Sequence, residues 1–311
     1  MLNRALSHLI QDHFAYWLLA GIRKRAERRG ILKQPFAVPM DDLIGQRLIA
    51  TGSFELTQID AVDQLLTDAN LLIGFKPDFR GAFVDVGANI GVYATRYASA
   101  FTNILAIEPN PAAYHILQAN IALSRRSNVI PLLVGCSDQV GTAQLDVAVK
   151  GMLGWSRLAS SAKKSEVDWD AYAIGVRLDT LDNLIAREVN ERVALLKIDV
   201  EGHEPQVLRG AAKTLTEHRP VVLYEALSNN SATESAKLLR AAGYDYFVAF
   251  FRPFTLGGTV RGLSVTARRI EPSAVKAESL ICAFHQTAKT HTARRHDSQV
   301  VVMRGGHAVS A

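Results

Sequence analysis

The chain has 311 residues, enough to bury a full core in one large domain or two small ones. Its two cysteines, Cys136 and Cys282, exclude a disulfide framework and a Cys-x-x-Cys zinc site, and 48% hydrophobic with 21% charged residues excludes a disordered or collagen-like chain. The net charge of +5 belongs to the ends: residues 1–33 hold seven Lys/Arg against two acids and residues 286–311 four against one, while residues 34–285 hold 24 against 27.

Residues 2–29 place Leu2, Leu6, Leu9, Ile10, Phe14, Trp17, Leu18 and Ile22 at helical spacing, followed by the basic cluster Arg23, Lys24, Arg25, Arg28 and Arg29. The apolar stretch Phe14–Ile22 is far shorter than the ~20 residues of a membrane span, and its positive charge follows it instead of preceding it, so neither a span nor a secretory signal is expected. With few cysteines, a reduced, cytoplasmic protein is the expectation. Residues 1–40 therefore form an N-terminal amphipathic basic extension, expected to dock on the main domain or a second copy; peripheral membrane contact through this helix and a homo-oligomer stay open. A break at Gly30, Pro35 and Pro39 sets it off from a domain over residues 41–285.

From Phe83 onward short apolar runs alternate with helical patterns, the signature of parallel βαβ units and a doubly wound α/β sheet. Strands are expected near Ala82–Val86, Ile104–Ile107, Val129–Val134, Ala194–Ile198 and Val221–Tyr224, and helices near Val92–Ala100, Ala112–Leu123, Pro205–Glu217 and Ala232–Ala242. Tyr246–Phe251 and Ser279–Phe284 leave no patterned crossover helix between them and read as an antiparallel pair closing the sheet edge. A long insert, Ser137 to Arg192, carries one strand-like piece, Ala143–Val149, and a tryptophan-containing segment, Gly151–Leu158; inserts of this length tend to contact substrate. Residues 286–311 turn polar without period and read as a flexible basic tail.

The sharpest chemical signal is Val84-Asp85-Val86-Gly87-Ala88-Asn89-Ile90-Gly91, a strand entering a glycine-spaced turn and then a helix whose first N–H groups are available to a ligand. Glu108 ends the next strand about 20 residues on, where a carboxylate can accept both ribose hydroxyls. The third glycine of a dinucleotide fingerprint is missing, and Asp85 ahead of the turn would repel a pyrophosphate while suiting an ammonium and a sulfonium. S-adenosylmethionine meets those demands. At the carboxyl end of the fourth parallel strand, Lys197-Ile198-Asp199-Val200-Glu201-Gly202-His203-Glu204 crowds carboxylates and an imidazole where open α/β sheets face their ligand. Mutual repulsion there raises pKa values toward base chemistry. Asp199 is the leading base or orienter, with Glu201 and His203 behind it, whereas Glu204 fits a solvated helix start favoured by the helix dipole. The spacing is not diagnostic of a metal site, and none is expected.

Asp85 to Gly91, Glu108-Pro109-Asn110-Pro111, Leu117-Gln118-Ala119-Asn120-Ile121, Leu178-Asp179-Thr180-Leu181-Asp182, Lys197 to Glu204, Leu208-Arg209-Gly210-Ala211 and Arg219-Pro220 together resemble the FkbM-type family of S-adenosylmethionine-dependent methyltransferases, over roughly Gly45 to Glu225. The resemblance implies a Rossmann-like class I methyltransferase fold, a mostly parallel seven-stranded sheet with an antiparallel last strand, and methyl transfer to a hydroxyl of a small molecule or glycan. It further implies that Asp85, Gly87, Asn89 and Gly91 line the methionine end, that Glu108 holds the ribose, and that Asp138 meets the adenine amino group. The insert Arg252-Pro253-Phe254-Thr255-Leu256-Gly257-Gly258 is longer than the family pattern and a candidate to shape the acceptor pocket. Two alternatives remain: a nicotinamide-dependent oxidoreductase, disfavoured by the broken glycine pattern, and a non-enzymatic nucleic-acid-binding protein using the basic ends. No nucleic-acid partner is expected, since the body is net acidic and aromatics are not interleaved with the basic runs.

Overall fold

A computed structural model describes residues 35–51, 54–148, 154, 156–158, 171–226, 228–251, 266–271, 273, 275, 279–285, 302–304 and 307–309, with residues 21 and 24 apart. The basic N-terminal helix and the insert 252–258 lie outside the described residues, as does most of the expected tail, within which Val302–Arg304 pairs antiparallel with His307–Val309.

Two helices come first, α1 (Leu43–Thr51) and α2 (Leu56–Ile73). They are followed by β1 (Ala82–Val86), α3 (Val92–Tyr97), β2 (Ile104–Ile107), α4 (Pro111–Ser124) and β3 (Val129–Leu132). The second half holds α5 (Leu181–Glu188), β8 (Val193–Ile198), α6 (Glu204–Arg209), β9 (Val221–Ala226) and α7 (Asn229–Ala241), then β10 (Tyr244–Phe251), β11 (Thr266–Ile270) and β12 (Ser279–His285). The main sheet runs β11-β10-β12-β9-β8-β1-β2-β3. Its five strands from β9 to β3 are parallel, and β12 lies antiparallel between β9 and β10. The antiparallel strand is as expected, but the sheet gains an eighth strand: β11 pairs with the outer edge of β10 and covers backbone groups that would otherwise stay unpaired.

Every residue of β1, β2 and β8 is buried, because helices cover both faces of the sheet and leave no wet side to alternate toward. Phe83 and Leu195 pack under α2, α3 and α4 on one face, and Val84, Val86, Leu196 and Ile198 pack under α5, α6 and α7 on the other. The strand order reverses between β1 and its neighbours β2 and β8, which opens a crevice at their carboxyl ends.

Three expectations change in detail. The run read as one strand over Val129–Val134 divides into β3 and β4 (Gly135–Ser137), because the second piece leaves the main sheet. The insert is a second sheet in the order β4-β7-β5-β6, made with β5 (Gly141–Ala148), β6 (Ser156–Leu158) and β7 (Ala171–Thr180) around a small core of Leu145, Val147, Leu158, Val176 and Leu178. The helix expected over Pro205–Glu217 stops at Gly210, where a Cβ would overlap the carbonyl oxygen of Ser137, and continues only as a π-helical turn over Thr214–His218. Asp182 ties that turn down, accepting from the backbone N–H groups of Lys213 and Thr214 and from the Thr214 hydroxyl.

Candidate functional site

The crevice contains a cleft of about 320 Å³, walled by the ends of β1, β2 and β8, by the second sheet through Leu145, Ser156 and Leu158, and by the α1–α2 corner. Its β1–β2 side is built by short-range backbone chemistry. Gly87 has φ +81°, and a Cβ there would overlap the Asp199 carbonyl, so only glycine lets the β1 turn lie against the end of β8. The N–H groups of Gly87 and Ala88 both donate to the Ile107 carbonyl, closing the turn onto β2. Asn89, itself left-handed at φ 50°, donates its N–H to Glu108 Oε2 at 2.8 Å, and the Asn110 N–H donates to Oε1 at 2.8 Å. Glu108 is thereby fixed with one backbone donor on each oxygen. Burial pushes its pKa up to about 7 against those two donors, with Asp85 and Asp199 adding to the rise. Asn89 Oδ1, also at the cleft, is buried and has no hydrogen-bond partner among the described residues.

Behind this turn, Asn120 donates to the carbonyls of Ile90 and Ala37 at 2.7 and 3.1 Å, clamping the loop to the segment that precedes α1. Gly91 belongs to the same support layer. It is the N-cap of α3 at φ +88°, and a Cβ would press on Leu117, so it packs helix on helix and does not line the cleft.

The β8 side is built by charge. Lys197 is only 4% exposed and reaches Asp199 Oδ2 at 3.0 Å and Asp85 Oδ1 at 3.8 Å, with its ammonium 4.6 Å from the centroid of the Tyr93 ring. Burial works against its charge, but Asp199, Asp85 and Glu55 outweigh it and hold the lysine protonated. Asp85 is fully buried beneath the cleft, not on its wall, and neither of its oxygens has a hydrogen-bond partner among the described residues. Burial lifts its pKa to about 6 against the pull of Lys197. The residue expected to line the methionine end lies below the cleft wall, beside Lys197.

Asp199 and Glu201 both reach the cleft, joined there by Glu225 from β9 and by Glu55 and Gln58 from the start of α2. Burial first, then Asp199 and Glu225, push Glu201 up to about 8; burial and Asp199 push Glu225 to about 7. Glu55 accepts from the Tyr93 hydroxyl at 3.0 Å, and its pKa rises to about 8 through burial and Asp199, against Lys197. His203 lines the cleft as well, but its Nε2 is 3.0 Å from Ser137 Oγ, and burial lowers its pKa to about 4. At neutral pH it is an uncharged strut between α6 and β4, not a proton acceptor of matched strength. Glu204 is buried rather than solvated, accepting from the Gly202 N–H and the Ser231 hydroxyl. Asp138 does not join the site: it lies beside Ser137, 3.9 Å from Arg209 Nη1, outside the cleft wall. Among the described residues no group of three or more His, Cys, Asp or Glu is arranged to hold a metal ion, and no helix is long and apolar enough to cross a membrane.

A model of the methyltransferase FkbM domain matches residues 85–246, just over half of the chain. The chain belongs to the FkbM methyltransferase family. Methyltransferase sdnD of Sordaria araneosa is 33% identical over 155 residues, which cover 41% of this chain and 59% of that protein. Hexuronic acid methyltransferase AglP of Haloferax volcanii is 29% identical over 133 residues, covering 42% of this chain and 50% of that protein. The chain thus spans between half and three fifths of the curated relatives it matches. Among solved structures, methyltransferase FkbM from Methylobacillus flagellatus KT shares 16% identity at a TM-score of 0.41, covering 85% of this chain and 58% of that one. Membership of a methyltransferase family sets the nicotinamide oxidoreductase alternative aside.

The FkbM match begins at Asp85, so Glu55 and Gln58 precede it, and sequence reading passed over them. A signal was present. Leu56, Ile59, Val62, Leu65, Leu66, Ala69 and Ile73 recur at helical spacing, and α2 ends at Gly74 with φ 80°. Lys197 was in plain view within its motif, but its role depends on β1 lying beside β8, where Asp85 pairs in register with Lys197.

Proposed function

We propose that the chain is an S-adenosylmethionine-dependent O-methyltransferase acting on a hydroxyl of a small molecule or glycan. The observation that carries this reading is Glu108, a carboxylate held by two backbone N–H groups at the crevice mouth with acceptor capacity left for a pair of ribose hydroxyls. The donor set fits the cofactor elsewhere too: the unpartnered Asn89 Oδ1 suits an ammonium, and the carboxylates at the β8 end suit a sulfonium. When bound, S-adenosylmethionine supplies an activated methyl group, so positioning and removal of the acceptor proton are left to the protein.

In this reading Asp199, held by Lys197 at 3.0 Å, orients the acceptor, and His203 braces the wall. Proton removal falls to the carboxylates with pKa values near neutrality, where a base combines correct protonation with driving force. The acceptor class is supported by the kinship with a hexuronic acid methyltransferase. Calorimetric titration with S-adenosylmethionine, S-adenosylhomocysteine and NAD tests the reading. Binding of both sulfur nucleosides and not of NAD is expected, and preference for NAD would sink it.

A further inference from the structure

We infer that Glu55, the N-cap residue of α2 ahead of the FkbM match, is the general base that takes the acceptor proton. This rests on the methyltransferase reading above and adds to it a residue that lies outside the matched residues 85–246. Three geometric observations carry it. Glu55 lines the cleft together with Asp199, Glu201 and Lys197. Its backbone sits at φ 50°, ψ 48°, a left-handed conformation that strains a residue with a Cβ and that concentrates at functional sites. Its carboxylate is also held in place: Oε2 accepts from the buried Tyr93 hydroxyl at 3.0 Å.

Glu201 shares the cleft and a left-handed backbone, but no hydrogen bond fixes its carboxylate among the described residues. Asp199 is engaged by Lys197. The charged groups facing Glu55 include Asp199, Glu225 and Glu201, which disfavour its ionisation, and Lys197, which favours it; Tyr93 donates to it. The positive end of α2 also favours the anion. Burial and these acids prevail, placing the carboxyl near neutrality and making it able to accept a proton and return it.

The step balances without a further reagent. As the acceptor oxygen forms its bond to the methyl carbon, its proton passes to the Glu55 carboxylate. The carbon–sulfur bond breaks with its electron pair going to sulfur, which turns from a cation into a neutral thioether. The protonated Glu55 then releases its proton to solvent.

The test is carboxyl-carbon NMR titration of glutamate-labelled protein saturated with S-adenosylhomocysteine, with Glu55 assigned by loss of its signal in Glu55→Gln. In wild type the Glu55 signal is expected to titrate near neutral pH. In Tyr93→Phe, which keeps the ring over Lys197 and removes only the donor, the midpoint should move upward. With methyl glucoside and methyl glucuronide as acceptor probes, Glu55→Gln should lower any wild-type methyl transfer by about 100-fold or more at unchanged S-adenosylmethionine affinity. A midpoint below about 5, in the ordinary carboxylate range, or undiminished transfer in Glu55→Gln, overturns the assignment of Glu55 alone. A wild-type protein that binds neither sulfur nucleoside overturns the methyltransferase reading itself.

Discussion

The two sides of the cleft are built by different physics. On the β1–β2 side, the turn at Gly87 closes onto the Ile107 carbonyl, and the Asn89 and Asn110 backbone N–H groups hold the Glu108 carboxylate, through hydrogen bonds of 2.8–3.0 Å. On the β8 side, Glu55, Asp85, Lys197, Asp199, Glu201 and Glu225 come from three strand ends, the loop beyond β8 and a helix start, and like charges face one another across a buried lysine. The first arrangement is a rigid cradle that recognises shape and hydroxyls. The second keeps carboxyls close to their titration points, as removal of a proton from a neutral acceptor requires.

The contrast predicts where perturbation costs stability and where it costs binding. Lys197→Met should have the largest effect, because it strips the counter-ion from Asp85 in a fully buried position. A loss of about 3–5 kcal/mol in urea denaturation is expected, and a loss under about 1 kcal/mol would mean that Asp85 is already neutral. Glu108→Ala should weaken S-adenosylmethionine binding about 100-fold, the equivalent of roughly 3 kcal/mol in charge-assisted hydrogen bonds. Calorimetry reads this directly, and an affinity within a factor of three of wild type would remove Glu108 from the ribose contact.

Next in size is the pH dependence of stability. Asp85, Glu108, Glu225, Glu55 and Glu201 have native pKa values of about 6, 7, 7, 8 and 8, all above their ordinary values, so the native state binds more protons than the unfolded chain between about pH 4 and 8. Stability from these groups is greatest below their unfolded values and declines as pH rises through the native ones. His203, lowered to about 4, acts oppositely: its native state resists protonation, so it costs stability as pH falls below about 6.5. Five carboxyls outweigh one imidazole, and melting temperature should rise on going from pH 8 to pH 6. A melting temperature that climbs with pH over that interval would contradict the charge-built side of the cleft. The smallest effect is expected at Asp138→Ala, which removes a half-exposed group 3.9 Å from Arg209 and outside the cleft. S-adenosylmethionine affinity should stay within about twofold, since exposed pairs contribute about 0–1 kcal/mol, and a larger drop would restore Asp138 to the adenine side.

Legibility in sequence followed the same divide. Gly87, Asn89 and Glu108 were readable because each acts on backbone within a few residues or one strand away, and local spacing encodes local geometry. Gly91 was readable as a required glycine, but the reason for it, the Leu117 side chain of α4, was not. Asp85, expected at the methionine end, lies beneath the cleft wall beside Lys197, a placement that the periodicity of a fully buried strand does not reveal. His203 was placed at the cleft correctly, while its bond to Ser137, 66 positions earlier, depends on where β4 leaves the main sheet.

The sequence by itself determined the five parallel strands with their crossover helices, the turn that folds β1 onto the end of β2, and membership of the FkbM family, because alternating apolar runs and short glycine-bearing motifs are properties of consecutive residues. Only the tertiary structure decided that the insert forms a second sheet, that an eighth strand covers the edge, and that Glu55 and Glu225 stand beside Asp199. Burial and charge at a point depend on everything packed around that point. For this cleft the surroundings are drawn from segments up to 182 residues apart, from Leu43 to Glu225.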